Sequence, residues 1–382
     1  MKFIVSGMIA GDPHQGGASW AVLQYVLGLR QLGHDVHFVE PVRAAGVLDN
    51  SPTARCFHDV VSRFDLRERA ALLHEPSRTT VGVAYSRLRS MAADCDALFN
   101  ISGMLTDPAL LERIPCRVYL DLDPAFNQLW HACEGIDMRF DAHTHFVTVG
   151  QALGTPACTV PTCGRAWIPT LPPVVLSEWP RQQPELRADA AWTTVANWRG
   201  YGSIDRDGVL YGQKAHSLRR FLELPRMTRE PMRLALAIDP GETSDVAALD
   251  AHGWPLADPR QVAGTPDDYR AFIQRSKGEI GFAKSGYVES RCGWFSDRSV
   301  CYLASGRPVV AQDTGFSQYL PTGEGLLAFD DARGAAAAME HVAADYSRHS
   351  RRARDIAETH FGSDRVLPQL LDRVAVSSHV PL

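Results

Sequence analysis

Between Gly278 and Phe329 the chain runs an apolar segment, a polar stretch, a helical pattern, a tight turn, a second apolar segment and a glycine-rich loop in quick succession. Few folds accept that order. Gly278-Glu-Ile-Gly-Phe-Ala283 reads as a buried strand, Lys284 to Trp294 as a polar, glycine-punctuated loop, and Ser296 to Ala304 as a helix. Ser305-Gly-Arg-Pro-Val-Val310 then turns into the next strand, which ends at Gln312-Asp-Thr-Gly315, ahead of Pro321-Thr-Gly-Glu-Gly325. Short unbroken apolar runs suit strands covered on both faces, and a helix between two of them is the crossover of a parallel pair. Two strand ends therefore lie side by side, and in open α/β sheets ligands bind outside such carboxyl ends.

The amino-terminal part has the same grammar. Lys2 to Ser6 is a strand, Gly11-Asp-Pro-His-Gln-Gly-Gly17 a turn, Ala18 to Leu32 a helix and Val36 to Val39 a second strand, making one βαβ unit. Residues 53–93 read as mostly helical, and further short strands are expected over 97–102, 117–121 and 146–149. The Pro-rich stretch from Pro169 to Pro184 reads as a linker between independently packed units. The expected class is α/β, with two Rossmann-like domains facing across a cleft. One covers 1–175, the other 176–360, and 361–382 forms a C-terminal helix packing back towards the first domain.

A chain of 382 residues has ample material for two cores. Its net charge of -5 is mild and its basic residues are dispersed, so the electrostatic footprint of a nucleic-acid binder is missing and no nucleic-acid partner is expected. No apolar run reaches spanning length, so no membrane span is expected and a cytoplasmic location is assigned. The eight cysteines are scattered without a disulfide framework or a completed zinc set, and Cys292 reads as a packing thiol.

Gly16-Gly17 before the first helix, Arg199 after the strand over 192–196, Lys214 before the following helix, the Ala304-Ser-Gly-Arg-Pro-Val-Val310 turn, and Gly315 with Gly323-Glu-Gly325 together resemble the GT-B glycosyltransferases, in particular their retaining nucleotide-sugar branch. The resemblance spans most of the chain. It implies transfer of a sugar from a nucleotide-diphosphate donor to a small-molecule or glycan acceptor, with the nucleotide sugar as co-substrate and neither a resident cofactor nor a metal. Donor contacts are then expected from Gly16, Gly17, Arg199, Lys214, Lys284, Trp294, Ser296, Asp297, Arg298, Asp313, Thr314 and Gly315, and His14, Asp121 and Asp123 are the candidate catalytic groups. One departure stands out. The branch carries two glutamates about one helical span apart, whereas here the second place falls near Cys301 and the surrounding segment offers Asp297 and Arg298 instead.

The chemistry is coherent by itself, because glycosyl transfer must stabilise a departing diphosphate while positive charge develops on the sugar. Arg199 and Lys214 supply cations, and glycines at a helix N-terminus let backbone amides approach phosphate. His14 has the titration range of an acid–base group. Asp121-Leu-Asp123 resembles the metal-holding Asp-x-Asp of single-domain glycosyltransferases, but the two-domain layout favours an acceptor-side role. Closure of the two domains is expected to complete the site. An epimerase on the same scaffold and a catalytically silent partner protein are the competing readings. A nicotinamide-dependent oxidoreductase is a third, for which Glu40 at the end of the second strand supplies the ribose-binding acid.

Overall fold

A computed structural model describes residues 1–44, 51–183, 187 and 189–374. Its first sheet has eight strands: β1 (Lys2–Ser6), β2 (Asp35–Val42), β3 (Ala70–His74), β4 (Thr79–Gly82), β5 (Ala97–Ile101), β6 (Cys116–Asp121), β7 (His145–Thr148) and β8 (Trp167–Pro169). Their spatial order is β4-β3-β2-β1-β5-β6-β7-β8, parallel throughout except for the β3–β4 hairpin. The second sheet begins with β9 (Trp192–Asn197). After a small hairpin of β10 (Ile204–Arg206) and β11 (Val209–Tyr211), it continues with β12 (Met232–Ala237), β13 (Leu256–Ala257), β14 (Gly278–Gly281), β15 (Val309–Gln312) and β16 (Leu326–Phe329). Its order is β13-β12-β9-β14-β15-β16, all parallel. Each sheet thus starts in its middle and grows first to one side and then to the other. The reversals, between β1 and β5 and between β9 and β14, are where loops splay apart and leave a crevice.

Local chemistry starts the helices cleanly. Ser51-Pro52, Asp107-Pro108, Asp258-Pro259 and Thr265-Pro266 each place a capping oxygen before a proline, and each oxygen accepts an amide of the first turn at 2.9–3.1 Å. The expected helical reading of 53–93 holds for Pro52–Arg63 and Tyr85–Ala93 but fails between them. Ala70-Ala-Leu-Leu-His74 has helical propensity, yet it pairs in register with β2 and its first four residues are buried. A place inside the sheet overrides local preference. The polar stretch after β14 likewise contains a helix, Ser285–Ser290.

The Pro-rich stretch is not a free linker. Val174, Val175 and Trp179 are fully buried, and Val174 exchanges hydrogen bonds with Phe361 and Ser363, which fastens the start of the helix Ser363–Arg373. Pro184 and residues 375–382 of the expected C-terminal segment lie outside the described residues. One apolar cluster runs from Phe3 and Val5 through Trp20, Trp179, Tyr269, Phe295 and Leu303 to Leu326, so the two sheets share a core instead of packing independently. Among the described residues no helix is long and apolar enough to cross a membrane.

Candidate active site between the two sheets

β6 delivers two carboxylates to the crevice with opposite fates. Asp121 is fully buried: its Oδ1 accepts Asn127 Nδ2 (2.6 Å) and the Asp123 amide (3.0 Å), and its Oδ2 accepts Gln128 Nε2 and the Thr148 hydroxyl, both at 2.8 Å. Burial pushes its carboxyl up to about 6, against the pull of those donors. With both oxygens engaged, Asp121 holds the loop and the helix Phe126–Cys133 in place. That corrects the expectation of a catalytic role.

Asp123 turns the other way, into the crevice. Lys284, from the loop after β14, reaches both of its oxygens at 2.9 and 3.1 Å. Tyr201, from the loop after β9, and Tyr287 each donate a hydroxyl to it. The Lys284 ammonium also sits over the rings of Tyr201 (4.2 Å), Phe126 (5.0 Å) and Tyr287 (5.2 Å). This cluster joins the two halves across both sides of the second sheet's reversal point. The tyrosines were not singled out from sequence, although Tyr201 lies two residues from Arg199 in a glycine-flanked turn that marks a strand-end loop.

Behind it lies Lys214, buried, with its ammonium donating to the Phe282 carbonyl. Burial, and then the charges of Arg298 and Lys284, hold it well below the ordinary lysine range. Glu279, the acid that acts on it, is taken by Arg298, whose Nε donates to Glu279 Oε1 at 2.5 Å and which also donates to the Val195 carbonyl at 3.1 Å. Burial works most strongly against the Arg298 guanidinium, but Glu279, Tyr269 and Tyr302 together keep Arg298 above its usual value. Among the described residues no carboxylate forms an ion pair with Lys214. Arg199 differs: it is exposed and paired with Glu242.

The remaining expected contacts form the walls. Trp294 packs on Tyr287 with centroids 4.4 Å apart, and its carbonyl accepts the buried Thr314 hydroxyl at 2.5 Å. Ser296 is buried at the start of the helix Asp297–Ala304, and burial raises the neighbouring Asp297 carboxyl. Asp313 accepts the Gly315 and Ser317 amides and so closes the turn after β15, with Gly315 left-handed at φ 93°. Cys292 is fully buried with its thiol pushed up to about 12, the packing role expected of it.

Two first-sheet expectations change. A Cβ on Gly16 would run into the Thr265 carbonyl and one on Gly17 into the Tyr269 ring, and the Gly16 amide donates to Ala263 O at 3.2 Å. Gly16 thus admits the second half's backbone and Gly17 its Tyr269 ring. His14 stands exposed beside Gly264, in a left-handed conformation (φ 68°). Glu40, buried at the carboxyl side of β2, accepts the amides of Ile9 (3.0 Å), Ala10 (3.0 Å) and Gly11 (2.5 Å), and so pins the loop that carries His14. A fully buried carboxylate so engaged serves the loop of its own half, which weighs against the nicotinamide reading. The two halves also touch directly: the Ala152 amide meets Cys292 O at 3.0 Å, and Arg63 pairs with Asp267 at 2.8 Å.

The crevice geometry can be set beside known structures. An alpha-glucosyltransferase in complex with UDP-glucose and DNA containing an abasic site aligns with a TM-score of 0.63 and 11% identity over 98% of this chain and 99% of that one. HepE of Anabaena in complex with UDP and glucose aligns at 0.60 and 11%, over 99% and 100%. Sucrose-phosphate synthase from Thermosynechococcus elongatus aligns at 0.56 and 15%, over 99% and 100%. The fold is GT-B. No protein-family model and no curated protein sequence matches the chain. The exclusion of nucleic acid does not stand. Similar structures are of alpha-glucosyltransferases bound to DNA, so dispersed charge on this fold is no ground for ruling that partner out.

Proposed function

We propose that this protein is a glycosyltransferase that moves a sugar from a nucleotide-diphosphate donor, with the donor on the 176–360 half and the acceptor on the 1–175 half. The observation that carries the reading is Lys214: a buried ammonium at the carboxyl edge of a nucleotide-type sheet, bonded to one carbonyl and, among the described residues, paired with no acid. An unpaired buried charge is costly, and a diphosphate arriving there relieves that cost. Lys284 stands near enough for its charge to act on Lys214. The likeness in fold to proteins solved with UDP supports the same assignment.

In this reading the leaving diphosphate is balanced by Lys214, Lys284 and loop amides, without a metal. Lys284 must exchange Asp123 for phosphate, which frees the Asp123 carboxylate to face the acceptor. Asp123 is thus the candidate acceptor-side base, and His14 lines the mouth. Calorimetric titration with UDP, GDP and ADP, followed by incubation with the matching sugar conjugates in chelator, tests the proposal. Saturable binding of one diphosphate and its release from the sugar conjugate are expected. Failure of all three to bind removes the reading, and binding without release under any acceptor identifies a silent relative.

A further inference from the structure

The carboxyl edge of the first sheet carries a second cationic feature, remote in sequence from the donor residues. Arg139 has a left-handed backbone (φ 60°) held from both sides: its amide donates to Asp137 Oδ1 at 2.7 Å, and its carbonyl accepts His143 Nδ1 at 2.8 Å. His143 is in turn fixed by Asn100 at 3.0 Å, and burial lowers its titration to about 4, so it stays neutral with Nδ1 as donor and Nε2 as acceptor. The half-buried guanidinium reaches across to the Gly103 carbonyl at 3.0 Å, next to Ser102, another left-handed residue (φ 50°). Non-glycine residues held in that region concentrate where the surroundings fix a geometry for function.

Arg43, after β2, donates to Thr106 Oγ1 at 3.1 Å, so both guanidinium groups rest on the 103–106 loop, and their mutual repulsion is among the effects that hold Arg139 low, after burial. Arg43 is paired with Glu75 at 3.3 Å, a carboxylate that also accepts the Thr106 amide (2.6 Å), the Thr106 hydroxyl (2.7 Å) and the Asp107 amide (3.1 Å). Arg139 is less well compensated, with Glu75 and Asp137 acting on it only from beyond ion-pair distance. Among the described residues Arg139 has no carboxylate in ion-pair range. Tyr119, fully buried on β6 within electrostatic reach of Arg139 and Asp123, leaves its hydroxyl without a hydrogen-bond partner. The Ser102 amide donates to Leu120 O at 3.0 Å, so this loop borders the strand end that carries Asp123.

We infer that the acceptor bears an anionic group, a phosphate ester or a carboxylate, received by Arg139 and Arg43 beside the Asp123 loop; the inference rests on the transferase reading. A planar guanidinium with free N–H groups matches either oxyanion in a forked geometry. Its site lies on the half opposite Lys214, so an acceptor anchored there presents its hydroxyl towards the crevice.

The test is calorimetric titration of the full chain, with and without saturating UDP, using glucose 6-phosphate, glucuronate, inorganic phosphate and neutral glucose. At least one anionic sugar is expected to bind about tenfold or more tighter than glucose, and comparison of the two anionic sugars separates phosphate from carboxylate. Arg139→Gln is expected to abolish that preference and the exposed Arg43→Gln to weaken it about threefold or more, with UDP affinity unchanged in both. Equal affinity for charged and neutral sugars, or an anion preference that survives Arg139→Gln and Arg43→Gln, overturns the inference. Arg43→Gln guards against misfolding at the half-buried Arg139. Absence of UDP binding counts against the transferase reading alone, because the anion titrations are also run without it.

Discussion

The carboxyl edges of the two sheets are built from the same topology and treat their buried charges in opposite ways. On the first sheet, the fully buried Asp121 and Glu40 are each surrounded by donors of their own half. On the second, Lys214 is also buried and has one carbonyl and, among the described residues, no acid. Saturated charge fixes a loop, whereas unsaturated charge awaits a ligand. The same criterion separates Arg199, neutralised by Glu242, from Lys214, and on the first sheet separates Arg139 from Asp121.

The comparison can be broken most forcefully at Asp121. Asp121→Ala leaves three buried side-chain donors unpartnered, at about 1–3 kcal/mol each, and is expected to lower stability by about 3 kcal/mol or more without altering UDP affinity. Denaturant unfolding measures the first and calorimetry the second; a marginal loss would mean that the edge is not held by this carboxylate. Next comes Lys214→Met, expected to weaken UDP binding about 10- to 100-fold while leaving the melting temperature equal or higher, since it removes an uncompensated buried charge. A large fall in melting temperature with unchanged UDP affinity would make Lys214 a packing residue.

A smaller effect is expected of Arg199→Ala. The side chain is exposed and already paired, so UDP affinity should fall by no more than about fivefold, and less at high salt. The smallest effect is one of pH. The folded values of Asp121, about 6, and Glu40, about 7, lie above their ordinary carboxylate values, so the folded protein holds protons that the unfolded chain releases. Their contribution is therefore fully present below about pH 4 and is lost as pH rises through 6 to 7. Melting temperatures across pH 4 to 8 for the wild type and Glu40→Gln should show that component shrink in the variant.

Much of the architecture was legible because its signals are local. Buried strands announce themselves as apolar runs, and the turn at Gly306-Arg-Pro308 and the helix after Gly16-Gly17 follow from glycine and proline chemistry. The miss at Ala70–His74 has the complementary cause: alanine and leucine favour a helix locally, and only pairing with β2 makes them a strand. At the site, Lys214, Lys284 and Asp123 were recognisable as cations and an acid on strand-end loops. Tyr201, Tyr287, Glu242 and Glu279 were not, because each acquires its role only from the partner it meets.

What the sequence determined by itself is the order of strands and helices and the placing of charged residues at strand ends, since backbone preferences and apolar periodicity act over a few neighbours. Only the tertiary structure decided which charges are quenched. Asp123 and Lys284 stand 161 residues apart in the chain and meet across the crevice, while Lys214, far closer to several acids in sequence, pairs with none among the described residues. Electrostatic compensation depends on distance and burial in space, and neither is written in the spacing of residues along a chain.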